Sequence, residues 1–163
     1  MQKPMGESIE QAKEILDICH EKNLIAGDNF QLRQAPYIIA ARQLIDEGKI
    51  GQIVDIDWRV VELHPWHLWD FLFSKERMEI NYHSIHYIDC IRSFVGDPTS
   101  VYCKTMQHPK MSDLAQTRTA IIMKKLENPD YDYMNSVEDA YHTMCVVESC
   151  YKSSAEGGTP VEY

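Results

Sequence analysis

The segment Tyr82-His83-Ser84-Ile85-His86-Tyr87-Ile88-Asp89 concentrates side chains that can move protons. His83, His86 and Asp89 recur every third residue inside an apolar run that reads as a helix, where residues three or four apart share a face. That spacing points both imidazoles and the carboxylate into one cleft. Far upstream stands Lys3-Pro4. A lysine and a histidine aimed at one hydroxyl suit proton removal from an alcohol: neutral imidazole takes the proton, and the ammonium stabilises the developing alkoxide. The competing readings are a core histidine satisfied by Asp89 or a main-chain carbonyl, and a solvated lysine at a frayed terminus. Zinc would accept His83, His86 and Asp89, with His64 and His67 as further ligands. No H-E-x-x-H or C-x-x-C spacing occurs, however, so no metal is assigned.

A second chemical segment is Pro65-Trp66-His67-Leu68-Trp69-Asp70. Indole faces stack on the apolar side of a sugar while His67 and Asp70 hydrogen-bond its hydroxyls. An aromatic plug for the core or a subunit contact explains the same residues equally well. No glycine-rich loop that could cradle a dinucleotide pyrophosphate occurs in these 163 residues. The net charge of -9 argues against nucleic acid and anionic membranes as partners. The five cysteines are scattered beside apolar runs and suggest neither a zinc ribbon nor a disulfide framework. With no signal segment and no apolar run of spanning length, the expected location is the cytoplasm.

The elements that must position these residues follow from periodicity and punctuation. Ser8 and Gln11 form a capping-box signature opening a helix whose apolar face is Ile9, Ala12, Leu16 and Cys19, stopping near Asn23. Residues 24–27 read as a short buried strand. Pro36 starts a second helix with Ile38, Ile39, Ala41, Leu44 and Ile45 as its stripe, closed by Gly48. Val54, Ile56, Trp58 and Val60 alternate with polar residues, as in a strand with one wet face. Residues 63–73 read as a loop lining something, and a helix runs from about Asn81 to Phe94 before Gly96-Asp97-Pro98. Strands are expected over residues 100–106 and 118–123, then a break at Asn128-Pro129-Asp130. Asn135 and Glu138 cap a last helix with the stripe Val137, Ala140, Tyr141, Met144, Val147 and Tyr151, and Gly157-Gly158 ends the ordered part. The fold class is α+β: an α/β remnant over residues 1–51, then a small, mostly antiparallel sheet packed by helices over residues 52–163.

Gln2-Lys3-Pro4, the helix to Asn23, the Gly27-to-Arg33 exit, Lys49-Ile50-Gly51 and the His86-to-Asp89 run together resemble the Gfo/Idh/MocA oxidoreductases. That resemblance implies NAD- or NADP-dependent chemistry on sugars, inositols and related polyols, by a Rossmann domain followed by an α/β domain on an open sheet. It gives Lys3 and His86 the catalytic roles. Lys3 and Pro4 match the motif beside the cofactor, with Asn29 and Arg33 at the strand exit near it. Asp89 matches the substrate-side motif and joins His83, Trp66, His67, Trp69 and Asp70, which residue chemistry and spacing assign to the substrate. Gln2 replaces the glutamate of the family's Glu-Lys-Pro. Tyr82 and Ser84 replace the first aspartate and the glycine of its Asp-x-Gly-x-His-x-x-Asp, where Asn81 or His83 could substitute in part. Against that pattern the chain reads as lacking most of the Rossmann half and as shortened after Met123. It would then bind no cofactor alone, need a separate Rossmann-containing chain, and self-associate through its sheet. The alternatives are a non-catalytic sugar-binding or oligomerisation module and a gene fragment with no independent activity.

Overall fold

Ser8 is extended and its side chain accepts the Gln11 N–H, which starts α1 (Ile9–Glu21) where the capping signature places it. The Gln11 side chain reaches back to the Glu7 N–H at 2.8 Å, and Asn23, at φ 49°, stops the helix. These details come from a computed structural model that describes residues 1–62, 64–124 and 136–163. α2 (Pro36–Asp46) follows, with Pro36 in its first turn and Gly48 at φ 67° beyond its end. α3 (Ile85–Val95) is preceded by a wide π turn over Ile80–Ser84 and ends at Gly96, φ 78°. β1 (Ser100–Met106) pairs antiparallel with β2 (Arg118–Lys124), Cys103 opposite Ile121. α4 (Val137–Ala155) crosses this sheet, and β3 (Val161–Glu162) returns to pair with β1, giving the order β2-β1-β3. The class is therefore α+β, with helices on one face of a small antiparallel sheet.

One apolar cluster joins Ala12, Leu16 and Cys19 of α1, Ile85 and Ile88 of α3, Val101 and Cys103 of β1, and the α4 stripe. Met5 and Phe30 belong to the same cluster. A smaller cluster gathers Trp66, Leu72, Met78 and Leu114. Among the described residues, no helix is long and apolar enough to cross a membrane.

Several expected elements differ. Residues 24–27 are not a strand: Ile25 is fully exposed, and a ladder is reduced to two bonds, Met1 N to Gly27 O and Asn29 N to Met1 O. Residues 54–60 alternate but pair with nothing among the described residues, and Val54 is 92% exposed. Alternation marks a wet face; it does not supply a partner edge. In α2 only Ile38 of the expected stripe is buried. The α4 cap is Ser136, which accepts the Asp139 N–H; Asn135 and the 128–130 break lie outside the described residues. Gly157-Gly158 does not end the ordered part, because β3 follows.

The interior also holds charge. Arg33 donates to both Asp89 oxygens, at 2.7 and 2.5 Å, and lies 2.7 Å from Asp139. Arg92 donates to Asp97 at 2.7 Å, to Asp139 at 3.2 Å and to Thr143 at 2.5 Å. Burial pushes the Asp89 carboxyl up to about 6 despite Arg33. Removing one partner of such a buried set strands the other charge, at about 3–5 kcal/mol. Arg33→Ala should therefore lower the urea midpoint far more than Lys13→Ala, which removes an exposed i,i+4 pair with Asp17 worth about 0.5 kcal/mol at most. Equal effects would show that the network contributes little.

Candidate functional site

Two sets of polar side chains flank the turn that enters α3. The first lies toward the N-terminal segment. The extended pairing of Met1 with Gly27 and Asn29 fixes the start of the chain. Lys3 is thus held, half-buried, and its Nζ donates to the main-chain oxygen of Tyr82, one turn before His86. It is not a solvated lysine at a frayed end. Burial lowers the Lys3 pKa to about 8, with buried Asp28 opposing. The His86 ring meets Phe30 edge-on at 6.4 Å, and its Nδ1 is buried with no hydrogen-bond partner among the described residues. Burial, then the Lys3 charge, then His83, lower the His86 pKa to about 4. The arrangement puts a neutral imidazole beside a cation at neutral pH.

Where the resemblance expects an aspartate, Tyr82 sends its hydroxyl to Glu7 at 2.9 Å, and Glu7 also takes Lys75 at 2.6 Å. Asn29 is exposed, and its Nδ2 donates to Gln2 at 3.1 Å beside the Lys3-Pro4 segment. Arg33 and Asp89 are elsewhere: both belong to the buried ionic network.

The second set lines a cavity of about 760 Å³ between α3, the inner face of β2 and residues 58–62. His83, Ser84, Tyr87, Ile88 and Ile91 reach it from α3 and its entry turn, and Trp58, Glu62, His64 and Trp66 from the preceding segment. His83 Nε2 lies 2.7 Å from Glu62 and its Nδ1 3.1 Å from Glu79. Burial works against the charged ring, but those two carboxylates outweigh it and raise the His83 pKa. The expected single face of His83, His86 and Asp89 is therefore split. Successive steps of three residues drift around a helix by about 60° each, so His83 faces the cavity while Asp89 faces the core. Of the aromatic segment, Trp66 lines the cavity, whereas His67, Trp69 and Asp70 are exposed and do not.

Glu62, Glu79, Trp58 and Tyr87 were not foreseen. Glu79 and His83 stand at i,i+4, a signal open to detection. Glu62 is brought in by an irregular segment and has no such signal.

A small antiparallel sheet packed by helices, with a lysine from an N-terminal extended segment set near a histidine at the head of α3, defines an α+β domain. Residues 38–153 match the GFO/IDH/MocA C-terminal domain, and the chain belongs to that family. No curated protein matches it. Among solved structures, an oxidoreductase from Agrobacterium radiobacter in complex with NAD+, L-tartaric acid and magnesium superposes with TM-score 0.80 at 16% identity, over 99% of this chain and 71% of that one. The WlbA dehydrogenase of Bordetella pertussis, with NADH and UDP-GlcNAcA, gives TM-score 0.73 at 15% identity over 99% and 70%. An inositol dehydrogenase homolog from Azotobacter vinelandii, with NADH and myo-inositol, gives 0.67 at 13% over 99% and 70%. At these identities the likeness is one of fold.

The two histidines should titrate in opposite directions. His83 binds its proton more tightly folded than unfolded, so its stabilisation is complete below about 6.5 and is lost as pH rises through its folded pKa. His86 resists its proton when folded, so stability falls as pH drops from about 6.5 toward 4. Imidazole NMR titration should give His86 near 4 and His83 above 6.5. A His86 that titrates at 6.5 would remove the burial and the cation from the account.

Proposed function

We propose that the chain is the substrate side of an NAD(P)-linked oxidoreductase acting on a sugar, inositol or related polyol, with Lys3 and His86 as its proton-handling pair. The carrying observation is the buried Nδ1 of His86, without a hydrogen-bond partner among the described residues, beside a lysine whose pKa is already reduced. Buried polar atoms in folded proteins are normally satisfied, and an unsatisfied one calls for an explanation, of which a catalytic role is one. Neutral His86 takes the proton of a substrate hydroxyl, and Lys3 holds the oxygen as negative charge develops. A nicotinamide nucleotide would supply the hydride acceptor for the carbinol carbon. Lys3, Pro4 and Asn29 would border its nicotinamide end. No glycine-rich cradle for the pyrophosphate occurs in these 163 residues, and a separate Rossmann-containing chain would supply one. Residues 1–51 would then be the nucleotide-side remnant and residues 52–163 the substrate domain.

A second reading, a non-catalytic sugar-binding module, is favoured by one observation: neither Lys3 nor His86 lines the cavity, whereas Trp58, Trp66 and His64 do. Titrating myo-inositol and simple sugars into the protein while following imidazole and indole NMR signals separates the two. The redox reading expects His86 to shift, and His86→Ala to lose about 10²–10⁴-fold of any dehydrogenase rate once NAD or NADP is bound. Shifts confined to His64, His83 and Trp66 would replace it with the second reading. The pair sets the pH window as well. Activity needs neutral His86 and charged Lys3, so it should fall off below about 4 and above about 8.

Self-association through the outer sheet face belongs to the same proposal. Tyr102, Met106 and Ile122 are exposed there at 36%, 49% and 65%. Ile122→Lys should move the protein to monomer in sedimentation velocity; an unchanged profile places the contact elsewhere.

A further inference from the structure

We propose that Glu62, His64 and His83 form a site for one zinc-class divalent ion on the wall of the cavity. Their ligating atoms all lie within 4.8 Å of one another. Glu62 Oε1 stands 2.7 Å from His83 Nε2 and 3.1 Å from His64 Nδ1. Donors about 2.0–2.1 Å from a tetrahedral zinc ion are themselves about 3.4 Å apart, so shifts on the order of an ångström admit the ion.

The surroundings are those of a built site. His83 Nδ1 faces Glu79 at 3.1 Å, which directs the opposite nitrogen, Nε2, at the Glu62 oxygen. A carboxylate behind a histidine fixes its tautomer and raises its strength as a ligand. Glu79 is in turn held by Ser84 Oγ at 2.7 Å and by Thr119 Oγ1, and is 5% exposed. His64 is clamped between indoles, its ring 4.1 Å from Trp66 and stacked at 5.7 Å on Trp69. The two imidazoles are already 4.6 Å apart. Two imidazoles and one carboxylate favour zinc over magnesium or calcium. Three protein ligands leave the fourth position open to the cavity, for water or an oxygen of a bound small molecule. This assignment is independent of the Lys3–His86 reading, because neither of those residues lines the cavity.

The rival account of the same contacts is a hydrogen-bonded clip that ties residues 58–62 to α3 without any ion. Titration of metal-free protein with Zn2+ against a chromophoric chelator, near neutral pH, distinguishes the two. The expected result is one tight equivalent, weakened at least tenfold by His64→Ala and by His83→Ala. Glu79→Gln should weaken it by about 10–100-fold, and His142→Ala should leave it unchanged. Co2+ should give the visible bands of a tetrahedral nitrogen–oxygen site. Because His83→Ala removes buried contacts, its fold is checked by circular dichroism. Should it unfold, His64→Ala together with Zn2+-induced shifts of the wild-type His64 and His83 resonances decides the matter. Absence of binding, binding that survives His64→Ala, or thiolate charge-transfer bands with Co2+ would each overturn the proposal.

Discussion

The placement of the candidate site residues depends on a buried ionic network. Arg33, Asp89, Arg92 and Asp139 are each less than a tenth exposed, and they tie the turn after the N-terminal segment to α3 and α4. Charges withdrawn from water are tolerable only when geometry satisfies them, because their desolvation exceeds what a loose pairing returns. Asp89 meets Arg33 in bidentate fashion while Thr143 donates to the same carboxylate at 3.3 Å. That leaves α3 little freedom to rotate about its axis. With Asp89 fixed in the interior, His86 must look toward Phe30 and Lys3, and His83 toward the cavity.

The same constraint explains which parts of the molecule were legible in the sequence. Among the described residues, α1 to α4 and the strands β1 and β2 follow from local signals: Ser8, Pro36 and Gly96 punctuate, and apolar spacing does the rest. Val54 to Val60 carried an equally clean alternation and formed no strand, because pairing is settled by what lies alongside. β3 is two residues long, too short to have a period at all. Helical spacing points Asp89 into one cleft with His86 and the family motif sets it beside the substrate, yet its partner Arg33 lies 56 residues away. No spacing rule reaches that far.

The site shows the same division. Lys3 and His86 come together although 83 positions separate them, and a resemblance of ordered motifs was needed to join them, since neither residue type is unusual alone. The Tyr82 substitution is absorbed by the main chain: its carbonyl, which any residue would offer, receives Lys3, while the phenol turns away to Glu7. Position 82 can therefore help hold the lysine without an acidic side chain, though it cannot orient a substrate as a carboxylate would.

The turn over Ile80–Ser84 connects these arrangements. Tyr82 lends its carbonyl to Lys3, and the next residue, His83, is gripped by Glu79 and Glu62. A wide turn is a local departure from regular helical bonding and is frequent at functional sites. Here it sets adjacent residues to work on opposite sides of one helix entry. His83 and the Tyr82 oxygen that receives Lys3 belong to adjacent residues, so one short stretch of backbone carries both contacts. Because His86 feels the charge of Lys3 directly, the cavity wall at His83 and the Lys3–His86 pair meet at this one turn.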